Sequence, residues 1–281
     1  NELQFNPTIV ARPSTNVADA PAGLEFELRI PQNEDPNGYA TAHLRDAVVR
    51  LPEGMTVNPP SADGLGACSM DQVGIGADGV PTSYFLPSGQ EEETPVRCPD
   101  SSKLGSVEVE STAVKQPLKG TVYLAEQNAN PFGSLLAMYM VIDDPETGAL
   151  VKLPGKVEPD PATGRLTATF RNNPQLPVEE LRMKLKEGPR AALKTPASCG
   201  VHTTTTTLTP WSSPEGADAT PSSSFELVQG PSGGPCLNSG AGAPNAPSFS
   251  AGTADPTAKA FTPFGLKLTR ADGSQQLKAI D

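Results

Sequence analysis

Apolar and polar positions alternate with period two in several short runs of this chain. Leu24, Phe26, Leu28 and Ile30 alternate with Glu25, Glu27 and Arg29. Leu166, Ala168 and Phe170 alternate with Thr167 and Thr169, and Leu181, Met183 and Leu185 with Arg182, Lys184 and Lys186. Each run predicts a strand with one face on a core and the other in water. Leu44 to Leu51 (LRDAVVRL) and Leu104 to Val109 (LGSVEV) read the same way. Leu135 to Ile142 is eight apolar residues without a break, bounded by Gly133 and by Asp143-Asp144-Pro145. It is too short to cross a bilayer and predicts a central strand covered on both faces.

The densest run of such segments is Leu118 to Phe170. Two near-copies of one turn divide it, Asp144-Pro-Glu-Thr-Gly148 and Asp160-Pro-Ala-Thr-Gly164, sixteen residues apart. Pro presets φ near −65° and Gly admits a positive φ, so the stretch predicts a β-meander. Residues 177–185 carry a competing signal. Pro177, Glu179 and Glu180 suit a helix start, but Gly188-Pro189 leaves little length for one, and the alternation favours a strand. The run Thr203 to Thr207 predicts an exposed or edge strand. Residues 212–224 (SSPEGADATPSSS) read as a linker, followed by a short strand, FELV.

Residues 58–103 hold little apolar periodicity. So long a loop inside a compact domain needs pinning, and two of the four cysteines flank most of it. Cys68, Cys98, Cys199 and Cys236 allow three pairings. The local one, Cys68–Cys98 and Cys199–Cys236, closes the shortest loops; each bond contributes roughly 3–4 kcal/mol on the chain-entropy estimate. A zinc site is the rival, without the usual Cys-x-x-Cys spacing.

Composition sharpens the class. Among 281 residues stand 31 Pro and 26 Gly, which leave little room for helices and predict an all-β chain with less than about one tenth helix. Apolar residues at 36% and aromatics at 5% suit several thin cores. A net charge of −11 gives no basic face for nucleic acid. No run is apolar and long enough for a membrane helix, and no signal peptide stands in these residues, so the export signal of a secreted parent lies outside them.

Candidate chemistry is sparse. Gly74-Ile-Gly-Ala-Asp-Gly79 matches G-x-G-x-x-G, but a dinucleotide fingerprint needs a strand before it and a helix after it. His43 and His202 are the two histidines, and no Gly-x-Ser-x-Gly accompanies them. The acid pairs Asp143-Asp144 and Glu179-Glu180 read as solvated turns rather than as the two carboxylates of a glycosidase. Trp211, the single tryptophan, reads as a domain cap or, alternatively, a sugar-stacking platform. No Asp-x-Asp-x-Asp-Gly loop indicates a calcium site. No catalytic, cofactor or metal residue is assigned.

The strongest internal signal is a repeat. Residues 248–270 laid on residues 8–30 at a fixed offset of 240 align Phe249 with Ile9, Ala251 with Ala11, and Phe264, Leu266 and Leu268 with Leu24, Phe26 and Leu28. LKAI at 277–280 then stands where LRDAVV stood. Such a period belongs to an array of domains rather than to a solenoid.

LPEGMTVNP, SADGLGACS, CPDSSKLGSVEVES, PLKGTVYLAEQNANPFGSLLAMYMV, GKVEPDPATGRLTATFRNNPQLP, GPRAALKTPASCG and LTPWSS together resemble a repeat of large secreted proteins encoded in actinobacterial genomes. The resemblance spans almost the whole chain. It implies immunoglobulin-like β-sandwich modules in tandem on an exported, cell-surface protein, and no catalytic residues. The expected organisation is a sandwich over 1–115 with the pinned loop 58–103, a second over 116–215, a linker and short strand over 216–247, and an incomplete further repeat over 248–281. The expected role is non-catalytic, structural or adhesive, with neighbouring domains of the same chain as partners. The alternatives are a glycan- or protein-binding module using the loop near Tyr84 and Phe85, and a hydrolase.

Overall fold

The computed structural model describes residues 3–279 apart from 34, 213–217, 237–244, 260, 272, 273, 276 and 278. The strands in chain order are β1 (Thr8–Pro13), β2 (Pro21–Ala22), β3 (Leu24–Arg29), β4 (Leu44–Arg50), β5 (Thr56–Val57), β6 (Ser83–Phe85), β7 (Glu91–Glu93), β8 (Lys103–Ser111) and β9 (Leu118–Leu124). There follow β10 (Leu136–Asp144), β11 (Ala149–Pro159), β12 (Leu166–Phe170), β13 (Val178–Leu185), β14 (Leu193–Lys194), β15 (Gly200–Pro210), β16 (Ser222–Leu227), β17 (Ser248–Thr253) and β18 (Phe264–Thr269). Among the described residues one α-helix occurs, the single turn α1 (Met70–Val73). The chain is all-β.

Eleven strands form one sheet in the order β1-β3-β13-β8-β9-β10-β11-β12-β4-β15-β16, and every neighbouring pair in it is antiparallel. With an odd number of alternating strands, the first and the last point the same way. Any closure must therefore be parallel. The Ala11 amide donates to Ser223 Oγ at 3.0 Å, and Val17 bridges Gln229 in parallel. Both contacts share an offset of 212 residues, so they mark one register along one seam. The sheet curls into a nearly closed barrel.

The barrel does not confirm the tandem immunoglobulin-like sandwiches expected from the sequence. Strands from residues 1–115 and strands from 116–215 interleave in the one sheet: β13 sits between β3 and β8, and β12 pairs with β4. Short alternating strands have the same pattern in a sandwich and in a barrel, so periodicity does not separate the two. The Thr run is also not an edge. β15 pairs with β4 on one side and β16 on the other, because Ser222 to Ser224, read as linker, continue the sheet.

The inward faces are apolar. Leu24, Val107, Val122, Met140, Ile142 and Leu166 are buried in one cluster; Ile9, Ala11, Phe26, Leu28, Ala47 and Leu208 are buried in a second, and Val49, Phe170, Leu181 and Met183 bridge the two. The outward faces carry Glu25, Glu27, Arg29, Glu108, Glu110, Arg182 and Lys184, the reverse of a membrane barrel with its apolar outside. No helix among the described residues is long and apolar enough to cross a membrane. A short sheet, β2-β14-β5, brings Leu193 and Met55 to one end of the barrel core. At the other end the Trp211 indole donates to the Asn173 carbonyl at 3.0 Å.

The hairpin β17–β18 forms a sheet of its own. Its register is Ser248↔Thr269, Phe249↔Leu268, Ser250↔Lys267, Ala251↔Leu266, Gly252↔Gly265 and Thr253↔Phe264. At the offset of 240 these are the six pairs of β1 with β3, from Thr8↔Arg29 to Pro13↔Leu24. The LKAI segment that follows lies partly outside the described residues.

Candidate functional site

The segment that carries most loop chemistry, residues 58–103, is folded against the outer face of the barrel. It enters along β9, where the Cys68 amide donates to the Leu124 carbonyl at 2.8 Å and the Glu126 amide to the Cys68 carbonyl at 3.0 Å. Ser69 then caps α1: its Oγ accepts from the Gln72 amide at 3.2 Å, and Gln72 Oε1 accepts from the Ser69 amide at 3.0 Å. That capping box, Ser-x-x-Gln, is a sequence-level mark of a helix start. Gly74 ends the turn with φ +74°, the left-handed geometry that glycine takes without strain. The glycine motif therefore follows a helix instead of preceding one, and its first glycine is a helix cap rather than a phosphate cradle.

Under this loop lies a core distinct from the barrel interior. Cys68, Val73 and Ile75 pack on Ala125, just after β9, and on Tyr123, Ala137, Tyr139 and Val141, outward side chains of β9 and β10. Hence Leu135 to Ile142 is apolar without alternation: β10 faces the barrel interior on one side and the loop on the other. Cys68 and Cys98 are bonded, Cα atoms 5.0 Å apart, and so are Cys199 and Cys236 at 5.6 Å. The first bond staples the two ends of the covering loop; the second ties the start of β15 to the segment after β16. Among the described residues no cluster of three or more His, Cys, Asp or Glu side chains is placed to hold a metal.

Two groups inside this layer are out of the ordinary. Lys152, on the outer face of β11, has a buried side chain whose Nζ donates to the carbonyls of Gly74, at 3.2 Å, and Thr94. Burial pulls its pKa down, opposed by the carboxylates of Glu93 and Asp143. The Gly74 carbonyl is thus held by the sheet itself, and a Cβ at position 74 would stand 2.9 Å from Nζ and 2.8 Å from the Thr94 carbonyl. Tyr139 is 1% exposed and its hydroxyl has no hydrogen-bond partner among the described residues. Burial, with the charge of Glu126, pushes its pKa up to about 12.

Between this loop and the barrel runs a groove of about 740 Å³. Asp78, Val80 and Glu93 line it from the loop, Phe132 from the turn before β10, and Lys156 and Arg171 from the sheet side. Lys156 is paired with Glu158 at 2.6 Å and Arg171 lies 3.9 Å from Asp46. The groove thus offers both charge signs around an apolar patch. Tyr84 and Phe85 are elsewhere, on the fully exposed hairpin β6–β7; the Tyr84 hydroxyl donates to Glu92 at 2.9 Å, and Phe85 is 71% exposed.

The other candidates are dispersed. His202 contacts the Ser198 carbonyl through Nε2 at 2.9 Å and lies against the Phe225 ring. The His43 carbonyl accepts from the Trp211 amide, and the Arg45 guanidinium stands 6.0 Å from the Trp211 ring. Asp144 and Asp160 cap their turns: Gly148 and Gly164 have φ of +73° and +69° and donate to the Asp144 and Asp160 carbonyls, both at 2.8 Å. Hydrogen bonds from the Thr163 amide and hydroxyl and the Ala162 amide hold the Asp160 carboxyl below the usual range. Glu179-Glu180 is not a turn. It lies in β13, with Glu180 buried and paired to Arg29 at 2.6 Å and to Arg182 at 2.5 Å. Burial alone would raise its pKa, but the two guanidinium bonds outweigh that and lower it. No family model matches this chain, and no curated protein matches it.

Proposed function

We propose that the chain is a non-catalytic structural or adhesive module of a secreted or cell-surface protein, in which barrels of this kind follow one another and residues 248–270 open the next unit. The observation that carries the reading is the six-pair register common to β1–β3 and β17–β18, combined with an apolar face, Phe249, Leu266 and Phe264, that lies open. Such a face is stable when further strands cover it. Two disulfides suit an oxidising compartment, and the sandwich modules implied by the resemblance give way, in this reading, to barrels in series. The partners are then neighbouring units of the same protein.

The test is a fusion in which residues 31–247 are placed directly after Arg270, giving the second hairpin the strands that β3 has. Two cooperative barrels, with the amides of residues 249–268 newly protected from exchange, are expected. A second segment that stays unfolded while the first is intact would refute the reading.

A binding role is the second reading, favoured by the groove between the loop and β11. Its mixed charge and its apolar patch at Phe132 and Val80 suit an extended glycan or peptide. A glycan and peptide array, with Arg171→Ala and Lys156→Ala as controls, tests it. Binding unaffected by both substitutions would exclude this groove.

A further inference from the structure

A barrel of eleven strands is wide enough to hold a central helix, yet α1 lies outside this nearly closed one, and among the described residues side chains alone fill the interior. They do not fill it completely. A cavity of about 130 Å³ runs inside the sheet, and the residues that bridge the two core clusters, Val49, Phe170, Leu181 and Met183, all line it. The cavity therefore lies between the two clusters of the core.

Its chemistry is one-sided. Among the described residues, every lining side chain apart from Asn173 is a hydrocarbon or a thioether. Asn173 is committed already, its Nδ2 donating to the Arg45 carbonyl at 2.8 Å. A water molecule needs two to four polar partners to stay in such a space, and an apolar cavity of about 150 Å³ is known to remain dry and admit benzene or xenon. Atoms around a dry void lack dispersion partners on one side, and a guest that fits restores them. Met138, Met140 and Met183 line the space; unbranched thioethers adapt their shape to a guest at little cost.

From the cavity's size and lining we infer a binding site for a small apolar molecule inside the barrel, of the size of a single aromatic ring or a short alkyl chain. This site is independent of the role proposed above for the hairpin and of the surface groove.

The experiment uses the full chain with methyl-labelled methionine, titrated with benzene and pressurised with xenon while methyl resonances and melting temperature are followed. Saturable shifts at Met138, Met140 and Met183 are expected, with Met70, in α1 of the outer loop, unmoved and the melting temperature raised. Ala168→Leu extends a side chain from β12 into the cavity and should abolish the response while the barrel stays folded. No saturable shift in the wild-type chain overturns the proposal whether or not the variant folds. So does a response that centres on Met70 or that survives in folded Ala168→Leu.

Discussion

The hairpins β1–β3 and β17–β18 share a register residue for residue and differ in almost everything that surrounds them. In the first, Ile9, Ala11, Leu24, Phe26 and Leu28 are buried, because β13 extends the sheet on one side and β16 meets β1 on the other. In the second, the equivalents Phe249, Phe264 and Leu266 are 62%, 66% and 62% exposed. Pairing and side-chain alternation are local properties of about twenty residues. Burial is conferred by strands far away in sequence: β13 begins about 150 residues after β3 ends. The same division holds on the outer face of β10, where the disulfide-stapled loop supplies the cover.

The largest contrast is expected from truncating equivalent side chains. Phe26→Ala should cost roughly 3–5 kcal/mol in denaturant unfolding, and Leu266→Ala less than about 0.5 kcal/mol, the usual size for an exposed position. Comparable costs at both sites would mean that the second hairpin is covered in solution. Next in size is the staple. Replacing Cys68 and Cys98 together by serine should remove roughly 3–4 kcal/mol on the chain-entropy estimate and make residues 58–103 the first segment cut by protease; cleavage beginning elsewhere would show that packing on Tyr139 holds the loop unaided.

The smallest effect is a pH dependence from that outer layer. Tyr139 has its folded pKa pushed up to about 12, above the unfolded value of about 10. The unfolded chain therefore loses this proton first, so the contribution is fully present below about pH 10 and is lost as pH rises through about 12. Tyr139→Phe should flatten this part of the alkaline stability curve without lowering neutral-pH stability, because the buried hydroxyl it removes has no hydrogen-bond partner among the described residues. An unchanged alkaline slope would place the transition on another group.

How much of this was legible follows the same line between local and distant. The strands at 24–29, 136–144, 166–170 and 178–185 stood in the alternation and apolar runs, and the two Asp-Pro turns in their Pro and Gly spacing. The offset of 240 was readable because it preserves the inward residues of a hairpin. The barrel was not. Which strand lies beside which is decided by pairings such as β13 with β3 and β12 with β4, and a half-buried strand carries no mark of its neighbour. Glu180 reads as a turn residue for a related reason: one of its two guanidinium partners, Arg29, lies on another strand. The groove was hidden too, since it joins Asp78, Phe132 and Arg171 from three separate segments.

Hydrogen exchange of the intact chain tests the central contrast most directly, because both hairpins are present in one molecule. The amides that bond β1 to β3 should exchange only through global unfolding of the barrel, and those that bond β17 to β18 through local opening, with protection lower by orders of magnitude. Equal protection in the two hairpins would contradict the account, because it would mean that an identical register is sufficient for stability without the strands that cover it.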